Sequence, residues 1–427
     1  ESLFSSVGKN IQFLAIPLKS LAASEGGVEL MRNTVALGAT MAVLGLPLKI
    51  LEDVLKDIFA KKPAVIDLNI HAVRRGHEYV LEHFPHVAGK FGLKDGERGE
   101  RMYISGNEAI AMGALAAGCN FYAGYPMTPS TEILHYIARN AVREGVIFKH
   151  AEDEISVINM ALGASHVGAR AMCATSGGGF SLMTETLGLA GITETPIVIV
   201  NVQRPGPATG LPTWTEQADL RFMLHAAQGE FPRILLAPGS IEECFYLTAE
   251  AFNLAEKYQT PVIILSDKTL GEGNGSVAVF DVRKLSIDRG KLLVENDIPE
   301  NYRRYEVTSD GISPRTLPGM KGGVFCANSD EHNEYGFSIE DAENRIAQVE
   351  KRDRKLLTSA KELNRVGLYG EKDAPVTLVC WGSTLGALRD VLSGLPEETA
   401  RQFRILHFNV LWPFPACAAE ILSQSKR

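Results

Sequence analysis

The sequence predicts an α/β protein built on a parallel sheet flanked by helices, and three observations carry that reading. Pro196-Ile197-Val198-Ile199-Val200-Asn201, Arg233 to Leu236 and Pro261 to Leu265 are continuous apolar runs, the pattern of strands buried on both faces. Ile241 to Tyr258, between the last two, has the length and period of a helix. A further strand–turn–helix unit begins at Val376 to Trp381, turns at Gly382-Ser383-Thr384 and returns at Arg404 to Phe408.

With 427 residues, 45% hydrophobic and 22% charged, the chain can bury two or three cores. A net charge of −8 without any Lys/Arg cluster argues against a nucleic-acid partner, whose phosphates demand such clusters. The longest apolar stretches, Val35 to Leu48 and Ala109 to Met127, are broken by Gly, Pro or Asn, so no membrane span is expected. No signal peptide is recognisable, and Glu1 in place of an initiator methionine suggests a fragment or a processed start. The six cysteines stand no closer than 37 residues apart, without any CxxC pair. They are expected to be buried small hydrophobes in a reducing cytoplasm, with no metal or cluster held by this chain.

In chain order, residues 1–95 hold an amphipathic segment, Pro47 to Phe59, and a charged run to Arg101 whose Gly92, Gly96 and Gly99 read as a linker. Residues 100–275 carry the main α/β domain. There, Tyr125-Pro126-Met127-Thr128-Pro129 sets Thr128 between prolines, which fix φ and lack an N–H, and Ser130 or Thr131 is expected to cap a helix through Leu134. Glu152-Asp153-Glu154 open a helix through Ala164, where the positive dipole end favours acids. A strand from Arg170 to Thr175 ends at Ser176-Gly177-Gly178-Gly179, whose glycines admit close backbone approach and whose N–H groups can face a ligand. Arg204 follows the strand to Val202 and precedes a loop stiffened by Pro205, Pro207 and Pro212, which also carries Thr213. Its guanidinium stands at the edge where open α/β sheets bind ligands. Residues 276–370 are a weakly patterned connector with one helix, Ile339 to Glu362, and residues 371–427 are expected to begin a last α/β domain and leave it incomplete.

These turns and acids read as a cofactor cleft, and each has a plainer alternative. Glu154 can decorate a helix start, Thr128 can be a turn hydroxyl and the glycines can simply redirect the chain. Arg204 can form a surface ion pair with Glu216 or Asp219.

A longer set of motifs points further: Ser105-Gly106-Asn107-Glu108-Ala109, the Tyr-Pro-Met-Thr-Pro turn, Thr175 to Gly179, Gln203-Arg204-Pro205 through Thr213, Tyr302-Arg303-Arg304-Tyr305, Glu331-His332 and Trp412-Pro413. In these the chain resembles the alpha subunit of the thiamine-diphosphate-dependent 2-oxoacid:ferredoxin oxidoreductases, in the form with part of a gamma subunit fused in front. Asn33 to Gly38 and Asp67 to Asn69 resemble the C-terminal half of that gamma piece. Trp214 departs from the alpha pattern, which carries a basic residue there.

The resemblance implies a thiamine-diphosphate pyrimidine-type domain over 100–275, a transketolase C-terminal-like domain from 371 and a partial gamma-like domain over 1–95. It implies Glu154 as the catalytic acid at the cofactor's aminopyrimidine ring, favouring the imino tautomer. Thr128, Arg204 and Thr213 would face the substrate, and Tyr125, Pro126, Ser176, Gly177 and Gly178 the cofactor. No Gly-Asp-Gly is present, so the Mg2+ that holds the diphosphate, and a 4Fe–4S cluster, are implied on a beta subunit in a heterodimer or its doubled form. The expected reaction converts a 2-oxoacid, with 2-oxoglutarate preferred, and CoA to acyl-CoA and CO2 with reduction of ferredoxin. Pyruvate and branched-chain oxoacids stay open. The rivals are a non-redox thiamine lyase or transferase subunit and a non-catalytic structural subunit, with a dinucleotide-binding dehydrogenase behind them for want of a GxGxxG.

Overall fold

The computed structural model describes residues 11–24, 28–93 and 99–425; Glu1, Gly96 and Arg427, on which readings above fall, lie outside the described residues. The chain divides into two compact units, 1–99 and 100–427.

The first unit is helical: α1 Leu18–Ala22, α2 Arg32–Leu44, α3 Leu48–Ile58 and α4 Ile66–His83. The amphipathic segment is α3, which buries Leu55. Helices α2 and α4 touch backbone to backbone. A Cβ on Gly38 would stand 1.9 Å from the Val73 carbonyl oxygen, and one on Gly76 would stand 2.0 Å from that of Val35.

The second unit opens with β1 Arg101–Ser105 and α5 Gly106–Ala116, joined by a reciprocal capping box between Ser105 and Glu108. Strands and helices then alternate: β2 Phe121–Gly124, α6 Thr131–Glu144, β3 Ile147–His150, α7 Glu154–His166, β4 Ala171–Thr175, α8 Gly177–Ile192 and β5 Ile197–Gln203. They continue through α9 Leu220–His225, β6 Ile234–Leu236, α10 Ile241–Tyr258, β7 Pro261–Asp267, α11 Lys268–Glu272 and β8 Asn274–Ala278. After a long connector come α12 Ala342–Glu362, β9 Gly367–Gly370, β10 Val376–Trp381, α13 Thr384–Gly394, α14 Glu397–Ala400, β11 Phe403–Phe408, β12 Val410–Trp412 and α15 Cys417–Ser423.

The main sheet has the order β12-β6-β7-β5-β4-β2-β3. Its six strands from the apolar runs and their neighbours are parallel, while β12 joins antiparallel to β6 and makes the sheet mixed. One residue, Asn409, separates β12 from β11, which belongs to the smaller sheet β10-β11-β9. Along β5 the side chains alternate: Val198, Val200 and Val202 pack with α5 and α10, whereas Ile197 and Ile199 pack with α7 and α8. Both faces are thus covered, which is why the run is apolar without a break.

Two element starts differ from expectation. Ser130 stands before α6, but its backbone is helical (φ −77°, ψ −8°) and its hydroxyl donates to the Met127 carbonyl at 2.8 Å instead of accepting from the helix. Helix α12 begins at Ala342 because Asp341 caps it, accepting from Asn344 N at 2.8 Å.

Buried ion clusters tie the connector and α12 to this frame. Glu194, after α8, pairs with Lys351 and with Lys355 at 2.6 Å, and Arg304 donates to its carbonyl at 2.8 Å. Burial opposes the charge on Glu194, but these cations hold its carboxyl well below the usual range. Glu256 on α10 likewise meets Arg170, Arg289 at 2.6 Å and Arg315 at 3.0 Å. Glu331 is held by Arg345 and Arg352, and His332 packs its ring 4.0 Å from that of Tyr305.

Four cysteines are buried, whereas Cys326 and Cys417 are half-buried. Burial pushes the Cys119 and Cys173 thiols up to about 12, which keeps them protonated. Among the described residues no helix is long and apolar enough to cross a membrane.

Candidate functional site

The parallel strands end together: Gly124 of β2, His150 of β3, Thr175 of β4 and Gln203 of β5 share one edge of the sheet. The turns that follow these four strand ends carry most of the residues singled out in the sequence.

After β3, three consecutive acids separate into three environments. Glu152 is exposed, Asp153 caps α7 by accepting from Ser156 N at 2.8 Å, and Glu154 turns inward at 3% exposure. Its carboxylate lies beneath the first turn of α8. A Cβ built on Gly179 would stand 2.4 Å from Glu154 Oε1 and 2.1 Å from Thr175 Oγ1, so any side chain there would displace these groups. Oε1 is buried yet has no hydrogen-bond partner. For a carboxylate oxygen that is costly, and a ligand donor would relieve it.

The α8 turn is packed from its other side as well. Gly177 meets the Asp219 carboxylate, whose Oδ2 would lie 2.7 Å from a Cβ there. Asp219 accepts from Asn201 Nδ2 at 2.9 Å, and its N–H donates to Gln203 Oε1 at 3.0 Å. Burial raises the Asp219 carboxyl above the usual range, with the Asn201 bond opposing. Gly178, between the two packed glycines, is exposed. Ser176 precedes the helix with extended backbone (φ −128°, ψ 174°), and its buried hydroxyl has no partner; the same holds for Asn201 Oδ1.

Arg204 is 9% exposed and donates through Nη1 to the Thr128 carbonyl at 2.7 Å. The surface ion pair with Glu216 or Asp219 is therefore not what forms, because Asp219 is engaged by Asn201 and the guanidinium points at the proline turn. Thr128 and Pro126 are exposed, and Tyr125 is half-buried against the α7/α8 core. Thr213 and Trp214 sit exposed on the loop beyond Arg204, and no hydrogen bond among the described residues ties Thr213 to the cluster.

The structure thus joins Glu154 to the Ser176–Gly179 turn and Arg204 to Thr128, while Thr213 makes no hydrogen bond to either group among the described residues. The structure adds Asn201 and Asn107, which the sequence reading left without a role, and Asp219, weighed there only as an ion-pair partner for Arg204. Asn107 had a signal in Ser-Gly-Asn-Glu-Ala, and Asn201 none beyond its place near a strand end.

Comparison with known proteins identifies relatives of this fold. Residues 112–351 match the family model described as pyruvate flavodoxin/ferredoxin oxidoreductase, thiamine diphosphate-binding, and residues 4–79 match that of pyruvate ferredoxin/flavodoxin oxidoreductase. The chain is 38% identical over 405 residues to the alpha subunit of 2-oxoacid:ferredoxin oxidoreductase 1 from Sulfurisphaera tokodaii, covering 91% of this chain and 62% of that one. To the 2-oxoglutarate synthase subunit KorA of Methanothermobacter thermautotrophicus it is 36% identical over 318 residues, covering 74% and 83% respectively. A solved structure of the 2-oxoglutarate:ferredoxin oxidoreductase from Magnetococcus marinus, with 2-oxoglutarate, coenzyme A and succinyl-CoA bound, matches with a TM-score of 0.90 at 33% identity, covering 99% of this chain and 73% of that chain. The chain spans 62% of the length of the 2-oxoacid:ferredoxin oxidoreductase alpha subunit that it matches. A thiamine-diphosphate-binding region over more than half of the residues, an unpartnered acid beneath a glycine turn at its strand ends, and these relatives converge on one assignment: the chain belongs to the alpha-subunit family of the 2-oxoacid:ferredoxin oxidoreductases.

Proposed function

We propose that this chain supplies the pyrimidine side of a thiamine diphosphate site in a 2-oxoacid:ferredoxin oxidoreductase that acts on 2-oxoglutarate and CoA in the cytoplasm. The observation that carries the reading is Glu154 Oε1, buried beneath Gly179 without a partner. A carboxylate so placed suits a ring nitrogen that must be held by, and exchange a proton with, an acid. Ser176 Oγ and Asn201 Oδ1, also buried and unpartnered, leave further polar atoms for the same ligand. When bound, thiamine diphosphate supplies the carbon nucleophile that makes decarboxylation of a 2-oxoacid accessible.

Glu154 holds and returns a proton at the pyrimidine nitrogen. Exposed Gly178, with Tyr125 and Pro126 from the turn after β2, would help hold the cofactor. Thr128 and Arg204 meet the anionic substrate, through a hydroxyl and a fixed cation. Ile155 and Met160 on α7, and Val167 just after its end, are exposed apolar side chains that a covering subunit would bury. The reading gives that beta subunit the Mg2+ and diphosphate ligands and the 4Fe–4S cluster, since this sequence has no Gly-Asp-Gly and no paired cysteines. Ferredoxin then takes the electrons from that partner. The 2-oxoglutarate preference is supported by the KorA relative and the Magnetococcus enzyme, which are named for it.

The test is hydrogen–deuterium exchange at C2 of the bound cofactor in the assembled enzyme, quenched and read by NMR. Exchange should slow sharply in Glu154→Gln; an unchanged rate would remove Glu154 from the role and turn attention to Glu152 and Asp153.

A further inference from the structure

The Tyr125–Pro129 turn is poor in donors of its own, because Pro126 and Pro129 lack a backbone N–H. Its last three carbonyls are nonetheless all held. Met127 O accepts from both Ser130 N and Ser130 Oγ at 2.8 Å. Thr128 O accepts from Arg204 Nη1 at 2.7 Å, and Pro129 O accepts from Asn107 Nδ2 at 2.9 Å. The donors come from three places: the start of α6, the end of β5 and the first turn of α5. With its peptide planes fixed in this way, the turn leaves the Thr128 side chain exposed.

Of its two bonds, Asn107 donates the shorter to Pro129. It is 0% exposed, and its Nδ2 also lies 3.5 Å from Glu132 Oε2, which itself accepts from Ser105 Oγ at 3.0 Å. Two acceptors on one side fix which way the amide points. Its Oδ1 is left without a partner against Gly271, where a Cβ would come within 2.9 Å. An apolar side chain would fill this space without stranding an oxygen, so the geometry points to the Pro129 bond as the reason for an amide.

We propose that Asn107 is a positioning residue for substrate binding, fixing the proline turn together with Arg204 so that the Thr128 hydroxyl faces the 2-oxoacid. This rests on the reading of Thr128 given above and deepens it. Asn107 acts through the turn and touches neither cofactor nor substrate.

A double-mutant cycle in the assembled enzyme tests it, with Asn107→Asp, Thr128→Val and the pair, reading KM for 2-oxoglutarate and for CoA. Asn107→Asp removes the donor and sets a carboxylate against two acceptors. KM for 2-oxoglutarate should rise about tenfold, the scale of one buried hydrogen bond, while KM for CoA stays within about twofold. In the Thr128→Val background the same change should add less than about twofold, because the group being positioned is already gone. Full additivity, or equal rises in both KM values, would make Asn107 merely structural and overturn the inference while leaving Thr128 in place. If Thr128→Val alone leaves the 2-oxoglutarate KM unchanged, the reading of Thr128 falls and the positioning role falls with it. Asn107→Ser, which shortens the side chain without adding charge, repeats the cycle, and failure of both variants to assemble would show a folding role instead.

Discussion

Two buried glutamates in the second unit face opposite circumstances. Glu194 is 0% exposed, pairs with Lys351 and Lys355, and has Arg304 on its own carbonyl. Glu154 is 3% exposed and keeps an oxygen with no partner at all. Burying a carboxylate is expensive in either place. At Glu194 the protein answers that cost internally, with cations from the connector and α12. At Glu154 no group of the described residues answers it. On the function proposed above, the difference separates a carboxylate that holds the fold from one kept ready for chemistry.

Reciprocal substitutions test the contrast most strongly. Glu154→Gln should lower kcat of the assembled enzyme by about 10²–10⁴-fold, the scale for losing a positioned acid–base group, with unfolding free energy hardly changed. Glu194→Gln should do the reverse. It strands buried cations and should cost about 3–5 kcal/mol in a denaturant titration, with little effect on turnover of the folded enzyme. A stability loss at Glu154 to match that at Glu194 would dissolve the distinction.

Gly179→Ala asks whether the packing above Glu154 matters. The new methyl would meet the Glu154 carboxylate and the Thr175 hydroxyl, both side-chain ends that can move. A displacement approaching 1 Å is worth roughly 10²-fold in rate, so kcat should fall by up to that factor while the melting temperature shifts little. Wild-type kcat in this variant would show that the contact does not set the position of Glu154.

The smallest effect sharpens the Glu194 side. Burial brings the Lys355 ammonium down to about 7 from its ordinary 10.5, with Glu194 opposing. Below pH 7 folded and unfolded chains both carry this proton. Between about pH 7 and 10.5 the unfolded chain binds it more, so the unfavourable burial is relieved and stability rises with pH, by at most about 1.4 kcal/mol per unit. Lys355→Met should therefore show a shallower rise between pH 7 and 9 in unfolding free energy, and equal slopes would place the titration elsewhere.

Much of this architecture was legible in the chain. Strands β5 and β7 announced themselves as unbroken apolar runs because both faces are covered, and Asp153 and Glu154 stood at a helix start because the dipole favours acids there. The antiparallel β12 was not legible, since three residues one step beyond β11 give no sign of changing sheets. Nor were the contacts that finish the site. Asn107 reaches a carbonyl 22 residues away and Arg204 one 76 residues away, distances that only the closed sheet makes short. Sequence pattern reports what a residue does to its neighbours in the chain; the partner of Arg204 was decided by the sheet order instead.

The proline turn carries a thermodynamic consequence. Ordering the backbone of a loose loop costs about 1–2 kcal/mol per residue, so three residues fixed at the moment of binding would remove several kcal/mol from affinity. Here Met127, Thr128 and Pro129 already have their carbonyls tied down before any ligand is present. On the proposed reading, a ligand at Thr128 would therefore meet a surface whose entropy was lost when the chain folded. Loosening the turn should accordingly show in calorimetry as a less favourable binding entropy, with the heat of forming the contact nearly preserved.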